Sequence, residues 1–233
     1  MVIKKEEKKE QLVPSSQSKI WFLDANILAH WILGKGDVLN FLVDKYHLTN
    51  EFFDVYSKRY EEPINLIEEI LKLENKNKED VFIVSHLAIN ELFSALKDEL
   101  RSILLFKNGV PISRWRDSRN NPIITSDDYE SIYKITMKSF DILYANKAIE
   151  YIEDQSQEDS PDYLNIYSSI LFLIKDAKTQ DSTILTTAIF NDADYFVTKD
   201  ETLIKSAKNL IKDKYDLELI KPTQALQILH KRE

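Results

Sequence analysis

Bulky apolar residues arrive along this chain in short unbroken runs, each followed by a longer stretch in which apolar positions recur every three or four residues. "IWFL" at 20–23 leads into Ile27, Leu28, Trp31 and Ile32 at helical spacing, and Gly34 and Gly36 are set to end that helix. Apolar positions then recur at helical intervals over 41–73, with Pro63 opening the helix "PINLIEEILKL". "VFIVS" at 81–85 reads as a strand, and Ser85 is placed to cap the helix "HLAINELFSALKDELRSILL". Near the C-terminus "DSTILTTAIF" reads as a helix, "YFVT" precedes the helix "ETLIKSAKNLIK", and "LELI" precedes "PTQALQILHK" with proline in its first turn. Strands that are apolar on both faces and separated by helices predict a parallel sheet covered on each side. The expected fold class is therefore α/β, a three-layer α/β/α sandwich around a central parallel sheet.

Two stretches depart from this rhythm. Residues 1–18, "MVIKKEEKKEQLVPSSQS", carry too little apolar content to join a core and read as a flexible charged tail. Residues 107–178 read as an extended helical segment within a single domain that spans 19–233. It begins with the loop "KNGVPISRWRDSRNNP" and continues with helices at about 126–154 and 162–178, parted by "QSQEDSP".

Composition narrows the chemistry. Cysteine is absent from the 233 residues, so disulfides, thiolate ligands and cysteine nucleophiles are excluded and oxygen and nitrogen groups must do the work. A formal net charge of −8 argues against broad adhesion to nucleic acid, although it leaves room for a local basic groove or a metal-bridged phosphate contact. No run approaches the length of a membrane span and no signal segment is visible, so the expectation is a soluble, cytoplasmic protein.

Four acids then stand out by position. Asp24 and Asp200 each close an apolar strand, Asp181 opens a helix, and Glu91 lies in the helix after "VFIVS" with Leu87, Ala88 and Ala95 as its apolar neighbours. In open parallel sheets ligands bind beyond the carboxyl ends of the strands, which is where Asp24 and Asp200 fall. Gathered carboxylates repel one another unless a cation intervenes, and oxygen-only ligands suit Mg²⁺ or Mn²⁺. Such a site serves phosphodiester hydrolysis by an activated water. Capping alone would also explain Asp24 and Asp200, a first-turn charge Asp181, and a distant ion pair Glu91. Asp194, just ahead of "YFVT", is a second candidate for the place given to Asp200.

These segments also resemble a known family. "FLDANIL", "VSHLAINELFSAL", "DSTILTTAI" with "ADYFVTKDETLIK", and "LELIKPTQALQIL" are similar, in order and local residue types, to the motifs of PIN domains. The resemblance covers 19–106 and 179–233. It implies a PIN-like sandwich, metal-dependent ribonuclease activity, and Asp24, Glu91, Asp181 and Asp200 as metal-binding and catalytic acids, with Asp194 as an additional metal-site acid and Asn26 and Thr198 as supporting residues. It further implies an RNA substrate, a homodimer, and, for a VapC-like toxin, an antitoxin partner.

Two other features bear on binding. "SRWRDSR" sets Arg114, Arg116 and Arg119 around Trp115, a combination that can pair with phosphates and stack on a base, although a solvated loop explains it as well. Of the four histidines only His86, at a helix start, falls near the expected site. Two rival readings remain: a PIN fold without catalysis, used for RNA binding or assembly, and a phosphohydrolase of the haloacid dehalogenase kind. Asn26 argues against the second, because that family's motif wants an aspartate there.

Overall fold

The computed structural model describes residues 18–35, 38–49, 54, 57–74, 80–115, 125–145, 147–152, 160–175 and 177–231. The charged N-terminal tail therefore lies outside the described residues except for Ser18. Strands β1 (Ile20–Leu23), β2 (Val81–Ser85), β3 (Glu150–Ile152), β4 (Tyr195–Val197) and β5 (Glu218–Ile220) form one sheet in the order β3-β2-β1-β4-β5. Every pairing is parallel. The helices are α1 (Ala25–Lys35), α2 (Val38–Tyr46), α3 (Glu61–Glu74), α4 (His86–Lys107), α5 (Ser126–Ala145), α6 (Pro161–Leu173), α7 (Thr179–Phe190), α8 (Glu201–Tyr215) and α9 (Pro222–Lys231).

The strand order explains the layers. From β1 the chain steps outward to β2 and β3, returns past β1 to β4, and steps outward in the opposite direction to β5. Parallel strands need right-handed crossovers, so reversing the direction of travel changes the face on which the connecting helices lie. The result is a three-layer α/β/α sandwich, as the alternation of strands and helices predicts. The reversal leaves a crevice beyond the carboxyl ends of β1 and β4, the place where such sheets bind ligands.

Period-two alternation fills both faces. Trp21 pairs in register with Phe82 and Tyr195, and its ring stacks on theirs at 5.8 and 4.3 Å. Phe22, one residue on and so on the other face, stacks on Phe196 at 5.7 Å. α1 is buried along most of its length, through Ala25, Ile27, Leu28, Ala29, Trp31, Ile32 and Leu33, because it packs against α3 and α4 as well as lying close to the sheet. Truncating Leu28 or Ile32 to alanine would cost about 2–5 kcal/mol. A Cβ placed on Gly34 would stand 2.5 Å from Ile64 Cδ1 and 3.0 Å from Tyr60 Cβ. Gly34 is thus a close-packing residue inside α1, which runs on to Lys35, rather than the residue that ends the helix.

Ser85 caps α4 as its sequence suggests, accepting from the Ala88 N–H at 3.2 Å. The middle segment differs from expectation. The helix expected over 126–154 ends at Ala145, Lys147 takes a left-handed conformation with φ of 50°, and the chain enters the sheet as edge strand β3. The helix expected over 162–178 is shorter and ends at Leu173. Among the described residues no helix is long and apolar enough to cross a membrane.

Candidate functional site

Asp24 stands where β1 gives way to α1, and backbone bonding fixes its root: its N–H donates to the Val197 carbonyl of β4 at 3.0 Å. The residue is 9% exposed. Its Oδ2 accepts from the Thr198 hydroxyl and from the Asn26 amide, both at 2.5 Å. Asn26 Nδ2 also reaches Thr198 Oγ1 at 3.0 Å, and Asn26 Oδ1 accepts from the Lys199 N–H at 3.1 Å. Thr198, fully buried, then accepts from the Asp200 N–H at 3.0 Å. One polar mesh therefore joins the ends of β1 and β4 across the crevice, with Asn26 and Thr198 as its knots.

Asp200 caps α8, taking the Thr202 and Leu203 N–H groups on Oδ1 at 2.8 and 2.9 Å. Asp181, in the first turn of α7, takes the Lys178 N–H on Oδ2 at 3.0 Å. Both perform the capping work that such residues do in many helices. Each does it with one oxygen, and among the described residues the other accepts no hydrogen bond. Glu91 is half-buried on α4, nearly two turns past the cap.

Electrostatics connects these acids. Burial, reinforced by the charges of Asp181 and Asp200, pushes the Asp24 carboxyl up to about 6 against the opposing pull of the Thr198 and Ala25 hydrogen bonds. Burial and the charges of Asp24 and Asp181 push Glu91 up to about 7, with Lys178 pulling weakly the other way. Each acid thus lies within reach of at least one other, and no ion pair reaches Asp24 among the described residues. Carboxyls raised by burial together with specific charged neighbours in a cleft are candidates for a functional site. The donors are carboxylate, hydroxyl and amide oxygens, which fit a hard divalent cation. Among the described residues, however, no three carboxylate or imidazole groups stand close enough to ring one ion.

Several expected residues lie elsewhere. Asp194 precedes β4 and sits at the opposite, amino edge of the sheet, where Lys19 Nζ at 2.6 Å and the Ile20 N–H at 2.9 Å hold its carboxylate. It cannot share a cation with Asp24, because a strand's length separates the two edges. Arg114 and Trp115 lie past the far end of α4, about 24 Å along the helix from Glu91 at 1.5 Å per residue. Local bonds keep them there, including Trp115 Nε1 to the Val110 carbonyl at 2.8 Å. They are not part of the acid site. Arg116 and Arg119 fall outside the described residues. His86 directs Nδ1 at the Tyr151 hydroxyl of β3.

Sequence reasoning passed over two residues beside the mesh. Lys199, between Thr198 and Asp200, is half-buried, and burial first, with Arg59 assisting against Glu62 and Glu99, lowers its ammonium below the usual lysine range. His30, one turn after Asn26, has a buried Nδ1 with no hydrogen-bond partner among the described residues. A lysine between two polar residues carries no pattern that would mark it, and His30 looks like any helix histidine.

No family profile matches the chain, and no solved structure does. An uncharacterized protein of Archaeoglobus fulgidus is 38% identical over 98 residues, which is 40% of this chain and 72% of the archaeal protein. Identity at that level over most of the relative's length means that this chain belongs to the same protein family as the Archaeoglobus fulgidus protein, whose name states no activity.

Proposed function

We propose that the chain is a PIN-type, divalent-metal-dependent ribonuclease whose site lies at the switch between β1 and β4. The observation that carries the reading is that Asp24, buried at the end of β1, is raised by burial and by the charges of Asp181 and Asp200, and Glu91 by burial and by those of Asp24 and Asp181. Mg²⁺ or Mn²⁺ drawn to this edge by these acids would supply Lewis-acid polarisation of the phosphodiester and favour ionisation of the attacking water. The chain's own part is positional. Thr198 and Asn26 aim the Asp24 carboxylate, while Asp181 and Asp200 are anchored through one oxygen each and present the other. Glu91 contributes its charge from α4 on the other side of the crevice.

A second reading keeps the fold as an RNA-binding or assembly module without catalysis. The absence of a three-membered cage among the described residues favours it. Incubating purified protein with a mixed RNA pool and Mn²⁺ separates the two. The nuclease reading expects cleavage that EDTA abolishes and that Asp24→Asn removes while the melting curve stays cooperative. Cleavage at the wild-type rate in that variant would end it. The same reading expects a cytoplasmic homodimer, and for a toxin, growth arrest on expression that a small co-expressed antitoxin relieves.

A further inference from the structure

We propose that Lys199, with Arg59 beside it, is a phosphate-binding subsite at the rim of the acid cluster, holding the backbone of a single-stranded RNA next to Asp24. The proposal rests on the reading of the site as one that acts on RNA.

Its first support is the way Lys199 is mounted. The residue follows Thr198 and precedes Asp200, and its backbone N–H is fixed on Asn26 Oδ1 at 3.1 Å, so the side chain springs from the mesh that orients Asp24. Its ammonium donates to the Arg59 carbonyl at 2.6 Å, a neutral acceptor. Among the described residues Lys199 makes no ion pair, although it is half-buried. A half-buried ammonium gains from an anion that offsets its lost water, and among the described residues none forms an ion pair with it.

The surroundings show what kind of anion fits. Arg59 Nη1 stands 3.1 Å from Glu99 Oε1, and the Tyr60 hydroxyl donates to the same oxygen at 2.7 Å, so Glu99 is engaged from two sides. Arg59 remains 52% exposed. Glu62 is near enough to act on Lys199 through its field without forming an ion pair with it. His30 lies in the field of both cations: after burial itself, Lys199 and Arg59 are what push its imidazole down to about 3. Its ring packs on Tyr60 at 5.2 Å, and its Nδ1 has no hydrogen-bond partner among the described residues. Two cations and a neutral imidazole thus lie within one another's fields, and Lys199 is next in sequence to Asp200.

Charge supplies the need. A chain of net charge −8 with four acids at its site repels a polyanion, and a metal ion offsets only the centre of that field. A flexible ammonium at the rim is a point-charge phosphate ligand, able to follow a single strand without reading its bases. Lys199 could instead be only a strut, tying the segment before α3 to the start of α8 through the Arg59 carbonyl. The two roles predict different salt behaviour.

The test is fluorescence anisotropy of a short labelled single-stranded RNA of mixed sequence, titrated with full-length protein in EDTA across a series of salt concentrations. Lys199→Met is expected to weaken binding about tenfold and to flatten the dependence of log K on log salt by roughly 0.7, the value for one phosphate contact on a single strand. Lys199→Arg should retain most of the affinity, and Arg59→Gln should show a smaller loss of the same kind. Wild-type affinity and slope in both Lys199→Met and Arg59→Gln would overturn the subsite, as would weaker binding with an unchanged slope, which is the signature of a strut. Failure of the wild-type chain to bind the RNA would overturn it too. The nuclease reading is judged separately by Mn²⁺-dependent cleavage, so either idea can fail while the other stands.

Discussion

The two edges of the sheet treat their carboxylates in opposite ways. At the amino edge Asp80 accepts from the Lys19 N–H at 3.0 Å and from Trp21 Nε1 at 3.1 Å, while Asp194 takes the Ile20 N–H and the Lys19 ammonium. These acids staple the start of β1 to β2 and β4. At the carboxyl edge Asp24 is more deeply buried than Asp194, has only neutral hydrogen-bond partners, and faces other carboxylates instead of a lysine. The lesson is that an acid at a strand end is neither structural nor functional by position. Its partners decide: Asp194 is paired with a lysine by its own fold, and Asp24 has no cationic partner among the described residues.

That contrast can be broken by experiment, most severely at Asp24. Asp24→Asn can keep an oxygen for Thr198 and Asn26 while removing the charge, so the fold should survive and Mn²⁺-dependent RNA cleavage should fall by two orders of magnitude or more, about 3 kcal/mol of barrier. Gel assays at matched protein concentration, with circular dichroism as the control for folding, check both halves.

pH provides the next largest effect. Asp24 and Glu91 have folded-state values raised to about 6 and about 7 from ordinary values of 3.8 and 4.5. Between about pH 4 and 7 the folded chain therefore holds protons that the unfolded chain releases, so their contribution to stability is full below about pH 4 and is lost as pH rises through 6 and 7. The metal-free protein should melt higher at pH 5 than at pH 8. The Asp24 share is at most about 3 kcal/mol, since each tenfold gain in proton affinity on folding is worth roughly 1.4 kcal/mol. Asp24→Asn should flatten the profile, and Mn²⁺ should raise the melting temperature most at pH 8, where the carboxylates are ionised. A metal-free melting temperature that climbs from pH 5 to 8 and is untouched by Asp24→Asn would remove the contrast between the edges.

Thr198 gives a smaller effect that sharpens the comparison. Thr198→Val preserves shape but deletes the hydroxyl that Asp24, Asn26 and the Asp200 N–H share, and should cost about 1–3 kcal/mol in denaturant unfolding. Thr198→Ser should recover most of that loss. The least effect is expected at Asp194. Its ion pair with Lys19 is about a third exposed on each side, so Asp194→Asn should cost no more than about 1 kcal/mol and leave cleavage unchanged.

The same physics explains what could be read from the sequence. β1, β2, β4 and β5 are largely buried, so continuous apolar runs announced them. β3 is a three-residue edge strand with Glu150 and Tyr151 exposed, and Ile149 and Ile152 sit at a spacing that also suits a helix, so the pattern extended the preceding helix through it. Asp24 and Asp200 were legible because each ends a strand and the ligand-binding edge of a parallel sheet is known in advance. Asp194 was ambiguous only while its strand was considered without direction, since a residue before a strand lies at the other edge. Lys199 and His30 were invisible: what sets them apart is an ammonium resting on a neutral carbonyl and a buried Nδ1 with no hydrogen-bond partner among the described residues, and both features exist only in three dimensions.

Isothermal titration of Mn²⁺ into the metal-free protein tests the central claim most directly, because it asks for the cation without asking for a substrate. Saturable binding at pH 8 that weakens toward pH 5 and is lost in Asp24→Asn, but persists in Asp194→Asn, is the predicted result. No binding in the wild-type chain, or binding that survives Asp24→Asn unchanged, would contradict it.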